Sequence, residues 1–196
     1  MKAVLLEVDP SLLEQRRRLG LDRWDEMWEG VLHMSPAPAR EHQRILTELL
    51  VFLVMLLRRT ARGTILPGIN VFNEASPSED YRIPDLTFVA AGREPVLAED
   101  GTRAGGPDAV IEIRSPGDES YDKLPFFGRL GIREVIVVDR DTKRVDILAL
   151  EGDAYVPRIA DANRGLISAT LGVSFTTFDG RLLVADVSDP SVCAEI

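Results

Sequence analysis

The stretch of sequence that indicates the fold is residues 109–116, AVIEIRSP. Its apolar run is typical of a strand inside a sheet, yet Glu112 lies within it between two isoleucines. A carboxylate in an apolar strand is costly unless it is paired or binds a metal ion. Glu112 is therefore the first candidate for a functional side chain.

A second carboxylate stands at the start of another predicted strand. An Ile-Pro-Asp sequence ends at Asp85, immediately before the strand expected over Leu86–Val89. If that strand pairs with Ala109–Ile113, Asp85 and Glu112 converge and can hold one hard cation. Mg²⁺ is commonly bound by one or two carboxylates together with water and substrate phosphates, so we expect Mg²⁺, or Mn²⁺, at this pair. The structural alternative is that Asp85 caps a turn and Glu112 pairs with an arginine.

A lysine follows at the start of the next predicted helix. Lys123 lies eleven residues after Glu112, within a helix that we expect over Ser120–Leu130. Its ammonium could reach a phosphate at the metal and offset the charge that grows on phosphorus. The alternative is a surface lysine that pairs with the acidic residues beside it.

The elements around these motifs predict an α/β protein. Residues 41–59 form a long helix whose second half is apolar on every side, which indicates a buried helix. Glu134–Val138 is a continuous apolar run, typical of a strand that is covered on both faces. Further extended segments are predicted over Thr64–Phe72, Arg144–Leu150, Leu171–Phe178 and Leu182–Val187, and a short helix capped by Ser11 is predicted to run to about Leu19.

We expect one domain over residues 1–196. Residues 1–40 form a lead-in of one helix and one strand, 41–150 form the core, and 151–196 form an extension of strands. The order of the core elements is helix, three strands, helix and strand, which predicts a mixed central sheet between helices.

In combination, the motifs resemble the Uma family, which is assigned to the restriction-endonuclease-like PD-(D/E)XK superfamily. The matching segments cover about residues 20–150 and are Glu29–Pro36, Glu41–Gln43, Pro84-Asp85, Glu112–Pro116, Asp122-Lys123 and Gly131–Asp139.

The resemblance implies an αβββαβ core in which Asp85 and Glu112 are the metal ligands and Lys123 takes the role of the superfamily's strand lysine. That strand position is Arg114 here, which cannot accept a proton but can clamp a phosphate. The family often carries an acid-Gly-Glu triplet upstream. Here its last position is Val31, so Glu29 is the remaining catalytic candidate in that segment.

Two histidines and a Tyr-Arg pair complete the candidates. His42, in the first turn of the long helix, is either a packed or capping residue or a group that contacts the substrate phosphate near the metal. His33 is expected to face solvent. Tyr81 and Arg82 precede Asp85 and are candidates for the border of a substrate groove.

The composition limits the classes of partner. The formal net charge is −9, which excludes a uniformly basic nucleic-acid-coating protein but leaves local basic clusters at Arg16–Arg18 and Arg58–Arg62. A single cysteine excludes an intrachain disulfide, and with two histidines it excludes a structural zinc site. No apolar run has the length of a membrane span. We expect a cytoplasmic protein.

The sequence thus predicts a Mg²⁺-dependent endonuclease that hydrolyses phosphodiester bonds of nucleic acid, with DNA as the favoured substrate and a homodimer as one option. The alternative is a non-catalytic protein on the same fold that binds nucleic acid or a protein partner.

Overall fold

The structure is a computed structural model that describes residues 3–7 and 9–196. The α-helices in this range are α1 (Pro10–Arg18), α2 (Arg40–Thr60) and α3 (Leu124–Arg129), and 3₁₀ turns span Glu94–Val96 and Tyr121–Lys123. The strands, in chain order, are β1 (Ala3–Leu5), β2 (Asp25–Trp28), β3 (Val31–Met34), β4 (Gly63–Pro67), β5 (Asn70–Phe72), β6 (Tyr81–Arg82), β7 (Leu86–Ala90), β8 (Leu97–Ala98), β9 (Gly101–Thr102), β10 (Ala109–Arg114), β11 (Glu134–Asp139), β12 (Val145–Glu151), β13 (Ala154–Pro157), β14 (Leu166–Ser168), β15 (Val173–Phe178), β16 (Arg181–Asp186) and β17 (Cys193–Glu195).

The central sheet has the strand order β13-β12-β11-β10-β7-β4. Strands β10 and β11 are parallel and are joined through α3, whereas the other neighbours in this sheet are antiparallel. Strands β7 and β10 pair, with Val110 opposite Thr87, which is the condition for Asp85 and Glu112 to converge. The sequence α2, β4, β7, β10, α3, β11 is the predicted αβββαβ core, and the sheet is mixed as expected.

The apolar run of β11 is covered on both faces, as its composition predicts. Ile136 and Val138 pack in the cluster that α2 forms against the sheet, whereas Val135 and Val137 pack with Phe127 of α3. Because side chains alternate along a strand, one continuous run serves both layers.

Helix α2 differs from the prediction in one respect. Ile45, Leu49 and Leu53 are fully buried against the sheet. Val51 and Met55, however, are 58% and 66% exposed, so the expectation of a helix buried on every side is wrong. One face of α2 packs against the sheet, and apolar residues also lie on its exposed face. Because the sequence is apolar on both faces, it does not show which face is buried.

A second sheet carries the N-terminal strands, in the order β1-β3-β2-β6-β5-β9-β8. The strand predicted over Thr64–Phe72 is divided between the two sheets. Gly68 adopts a positive φ of 56° between β4 and β5, a conformation that favours glycine and turns the chain out of the central sheet.

The N-terminal helix α1 is capped two residues earlier than predicted. The Asp9 carboxylate accepts a hydrogen bond from the Ser11 backbone N–H at 2.8 Å, so Asp9 rather than Ser11 is the N-cap. None of the helices among the described residues is long and apolar enough to cross a bilayer.

The C-terminal sheet, in the order β14-β15-β16-β17, packs its apolar side chains into the same cluster as α2. Arg62, just after α2, fixes this sheet to the core. Its guanidinium donates to the Gly172 carbonyl at 3.1 Å and to Asp186 Oδ1 at 3.0 Å. Asp186 is buried, and Arg59 approaches it at 3.6 Å. Much of the predicted Arg58–Arg62 basic cluster is therefore engaged within the fold.

Substituting Arg62 is expected to destabilise the protein. Arg62→Ala removes the closest cation from the buried Asp186 carboxylate and leaves only the longer Arg59 contact. We expect a loss of about 2 kcal/mol in the free energy of unfolding, measured by urea denaturation.

Arg181→Ala is the matched control, because Arg181 forms an ion pair with Glu195 in which both side chains are exposed. Its loss is expected to cost less than about 1 kcal/mol. Equal effects of the two substitutions would contradict the anchoring role of Arg62.

Candidate active site

Four of the predicted functional residues meet in a cleft of about 680 Å³ between α2, the edge of the second sheet and the ends of β7 and β10. Asp85, Glu112, Lys123 and His42 all line it. Clefts of this size are typical of small-ligand and active sites.

Asp85 is positioned by the main chain of the neighbouring strand and by α2. Its Oδ2 accepts a hydrogen bond from the Ile113 N–H at 2.7 Å and lies 3.2 Å from His42 Nε2. The side chain of Asp85 is 20% exposed. His42 therefore contacts the candidate metal ligand directly, while its buried Nδ1 has no hydrogen-bond partner in the described part of the chain.

Glu112 and Lys123 form a buried ion pair. The Lys123 ammonium donates to Glu112 Oε1 at 3.0 Å, and both side chains are buried. Lys123 reaches this position because a 3₁₀ turn begins the crossover from β10 to β11 and directs the side chain back over the end of β10.

Burial and neighbouring charges shift both pKa values. Burial raises the pKa of Glu112 to about 8, with Asp85 and Glu26 adding to the rise and Lys123 opposing it. For Lys123, burial lowers the pKa, but the carboxylates of Glu112 and Glu26 outweigh it and the net shift is upward. Burial thus favours the neutral form of Glu112, whereas the neighbouring carboxylates favour the charged form of Lys123.

Glu26, which the sequence reasoning missed, is the second partner of Lys123. Its Oε1 accepts hydrogen bonds from Lys123 Nζ and from the Ile83 N–H, both at 2.8 Å. It therefore holds the lysine and the segment that leads into Asp85 together. The sequence pattern that could have identified Glu26 is the alternation over Asp25–Trp28, which places Glu26 and Trp28 on one face of a strand. A strand of four residues is too short for this pattern to be recognised.

An aromatic stack supports Glu26. The Trp28 indole N–H donates to Glu26 Oε2 at 2.8 Å, and the Trp28 ring stacks on His33 with centroids 4.1 Å apart. His33 is buried and its Nδ1 lies 2.8 Å from Glu119, so the expectation that it faces solvent is wrong. Strand alternation places His33 on the face that was expected to meet solvent, but the stacked Trp28 ring covers it.

Two predicted site residues are not brought into the cleft. Glu29 occupies the turn between β2 and β3, is 70% exposed and pairs with Arg129 at 2.9 Å. Arg114 lies 3.4 Å from Asp139, and its guanidinium lies over the Tyr121 ring. Neither residue lines the cleft.

Asp118, which also lines the cleft, and the candidates Arg82 and Tyr81 have other positions and partners. Asp118 accepts hydrogen bonds from the backbone N–H groups of Ser115 and Ser120 and so shapes the turn after β10. Arg82 is buried and pairs with Asp80 at 3.0 Å. Tyr81 borders a second cleft, described below.

Two substitutions are expected to shift the pKa of Glu112 in opposite directions. Lys123→Met removes the favourable charge and should raise that pKa above about 8. Asp85→Asn removes a like charge and should lower it. A pH titration of the Glu112 carboxyl carbon by NMR measures both shifts, and a change of the same sign in both variants would contradict this electrostatic arrangement.

Comparison with known proteins places the chain in a family. The family model described as "Uma2: Putative restriction endonuclease" matches residues 18–180. A crystal structure of "a putative nuclease belonging to DUF820" from Anabaena variabilis superposes with a TM-score of 0.58 at 17% identity, covering 74% of this chain and 80% of that one. This similarity supports the restriction-endonuclease-like fold. No curated protein matches the chain. The match over most of its length shows that the chain belongs to the Uma2 family of restriction-endonuclease-like proteins.

Proposed function

We propose that this protein is a Mg²⁺-dependent nuclease, with Mn²⁺ as a substitute, that hydrolyses phosphodiester bonds of DNA. The observation that carries the proposal is the arrangement of Asp85 and Glu112 at adjacent strand ends in one cleft, with the Lys123 ammonium 3.0 Å from Glu112. The family's description as restriction endonucleases supports the same reaction class.

The donor set fits a hard divalent cation. Asp85 and Glu112 supply carboxylate oxygens, which Mg²⁺ prefers, and Asp85 raises the pKa of Glu112, as a like charge does. The described residues contain no group of three or more His, Cys, Asp or Glu that could hold a metal by itself. Water and substrate oxygens would therefore complete the coordination.

A bound divalent cation supplies an activated water and polarises the phosphate. The chain's own residues do the rest. Lys123 places a permanent positive charge where negative charge develops on the phosphate, and Glu26 holds that ammonium in place. His42 and the Ile113 N–H fix the orientation of Asp85.

Removing Asp85 should abolish cleavage. Asp85→Ala deletes one of the two carboxylates, so the cation loses half of its protein ligands. We expect plasmid nicking to fall at least a hundredfold, measured with Mg²⁺ present, as about 3 kcal/mol of transition-state stabilisation is lost.

Asp122→Ala is the matched control, since Asp122 is an exposed carboxylate of the same region that does not line the cleft. It should cleave as the unmodified protein does. Cleavage that survives Asp85→Ala in a nuclease-free preparation would show that the assignment is wrong.

Metal binding is expected to depend on pH through Glu112. Because the pKa of Glu112 is raised to about 8, the carboxyl carries a proton at neutral pH that the cation must displace. Mg²⁺ affinity should therefore rise as the pH increases from 6 towards 8 and level off above it. Isothermal titration in buffers of different ionisation enthalpy measures the affinity and the proton release together.

The same titration decides against the proposal if neither Mg²⁺ nor Mn²⁺ binds at millimolar concentration at any pH in this range. That outcome would favour a non-catalytic protein on the same fold.

A further inference from the structure

A second cleft, of about 500 Å³, adjoins the candidate active site. Arg23 and Ile83 line both clefts. Ile83 precedes Asp85 by two residues, a span of at most about 7 Å of extended chain. A nucleic-acid strand that leaves the first cleft in this direction therefore enters the second within a few nucleotides.

Two arginines in the second cleft lack a carboxylate partner. Arg17 and Arg23 line it, and neither forms an ion pair with any residue that the structure describes. Most other arginines of the described chain are paired, including Arg103 in the same cleft, which binds Asp100 at 2.5 Å. Arg17 and Arg23 are thus exposed cations at a concave surface, without an ion-pair partner among the described residues.

The acidic residues of this cleft do not cancel that charge. Asp25 is engaged by Arg16 from α1 at 2.5 Å, and Asp100 is engaged by Arg103. Outside these two pairs, the charged residues described in the lining are Arg17, Arg23 and Asp22, which sum to one positive charge.

Aromatic rings line the same cleft. Tyr81 and Phe72 pack with centroids 5.7 Å apart and both line it, while the Arg103 guanidinium lies 4.4 Å over the Phe72 ring. Unpaired arginines beside aromatic rings are the combination that binds single-stranded nucleic acid, through phosphate contacts and base stacking.

We propose that this second cleft, which we call the arginine cleft (Arg17, Arg23, Phe72 and Tyr81), binds an unpaired segment of the DNA strand next to the bond to be cut. Arg17 and Arg23 contact its phosphates, and Tyr81 stacks on a base. The inference rests on the proposed function and specifies its substrate as single-stranded or locally unpaired DNA.

The test measures binding of the full chain to a short fluorescein-labelled single strand by anisotropy, in EDTA and over a range of salt concentrations. Arg17→Gln combined with Arg23→Gln should lower affinity at least tenfold and reduce the slope of log K against log salt by about 1.4, the contribution of two single-strand phosphate contacts. Tyr81→Leu should lower affinity without changing that slope. A duplex of the same sequence should bind more weakly than the single strand.

The control is Arg18→Gln combined with Arg58→Gln. It removes the same charge from two exposed arginines that line neither cleft and form no ion pair with a described residue. It should bind within about twofold of the unmodified protein. An equal loss in both double variants, or preference for the duplex, overturns the inference.

The metal-free assay separates this inference from the proposed hydrolysis. If plasmid DNA is cleaved but Arg17→Gln/Arg23→Gln binds the single strand normally, the proposed binding role of the arginine cleft is wrong. The proposed hydrolysis is then supported. If binding depends on these arginines but nothing is cleaved, the proposed hydrolysis is wrong and the arginine cleft is supported.

Discussion

The buried contact of Lys123 with Glu26 and Glu112 is the constraint on which the rest of the site depends. It joins a strand of the N-terminal sheet, a strand of the central sheet and the crossover between β10 and β11 at a single ammonium. Such clusters contribute little net stability, because desolvation offsets the attraction, but removing one member leaves an uncompensated charge. This buried charged cluster, with its desolvation cost, lies where the two sheets meet the candidate active-site cleft. Buried charges at such a position are typical of a functional site.

Buried carboxylates with internal partners also account for part of the acidic composition. Several carboxylates that contribute to the net charge of −9 are buried and engaged within the fold. Asp186 receives Arg62, Asp108 receives Arg93 at 2.7 Å, and Glu134 accepts hydrogen bonds from the β14–β15 turn. Two of these carboxylates, Asp186 and Glu134, thus help to attach the last sheet to the core. The net charge of the whole chain therefore does not determine the sign of the electrostatic potential at the arginine cleft. There, Arg17 and Arg23 have no ion-pair partner among the described residues.

The core was predictable because it rests on local patterns. The apolar runs of β10 and β11 and the helix between them predicted two strands of a mixed sheet. In the structure β7 pairs with β10 and brings Asp85 beside Glu112. Glu26 could not be found in this way, since its role depends on a contact 97 residues away and its strand is four residues long. His33 and the outer residues Val51 and Met55 were misplaced for a related reason: periodicity assigns a side chain to a face but does not show what covers that face.

The separation of 97 residues between Glu26 and Lys123 also bears on when the site can form. Closing so long a loop is slow compared with forming α2 or the β11–β12 hairpin, so the cluster is expected to assemble late in folding. Until the crossover docks, Asp85 and Glu112 are not fixed beside a buried ammonium. The cluster that carries the proposed chemistry is therefore complete only once the segment that follows β10 is in place.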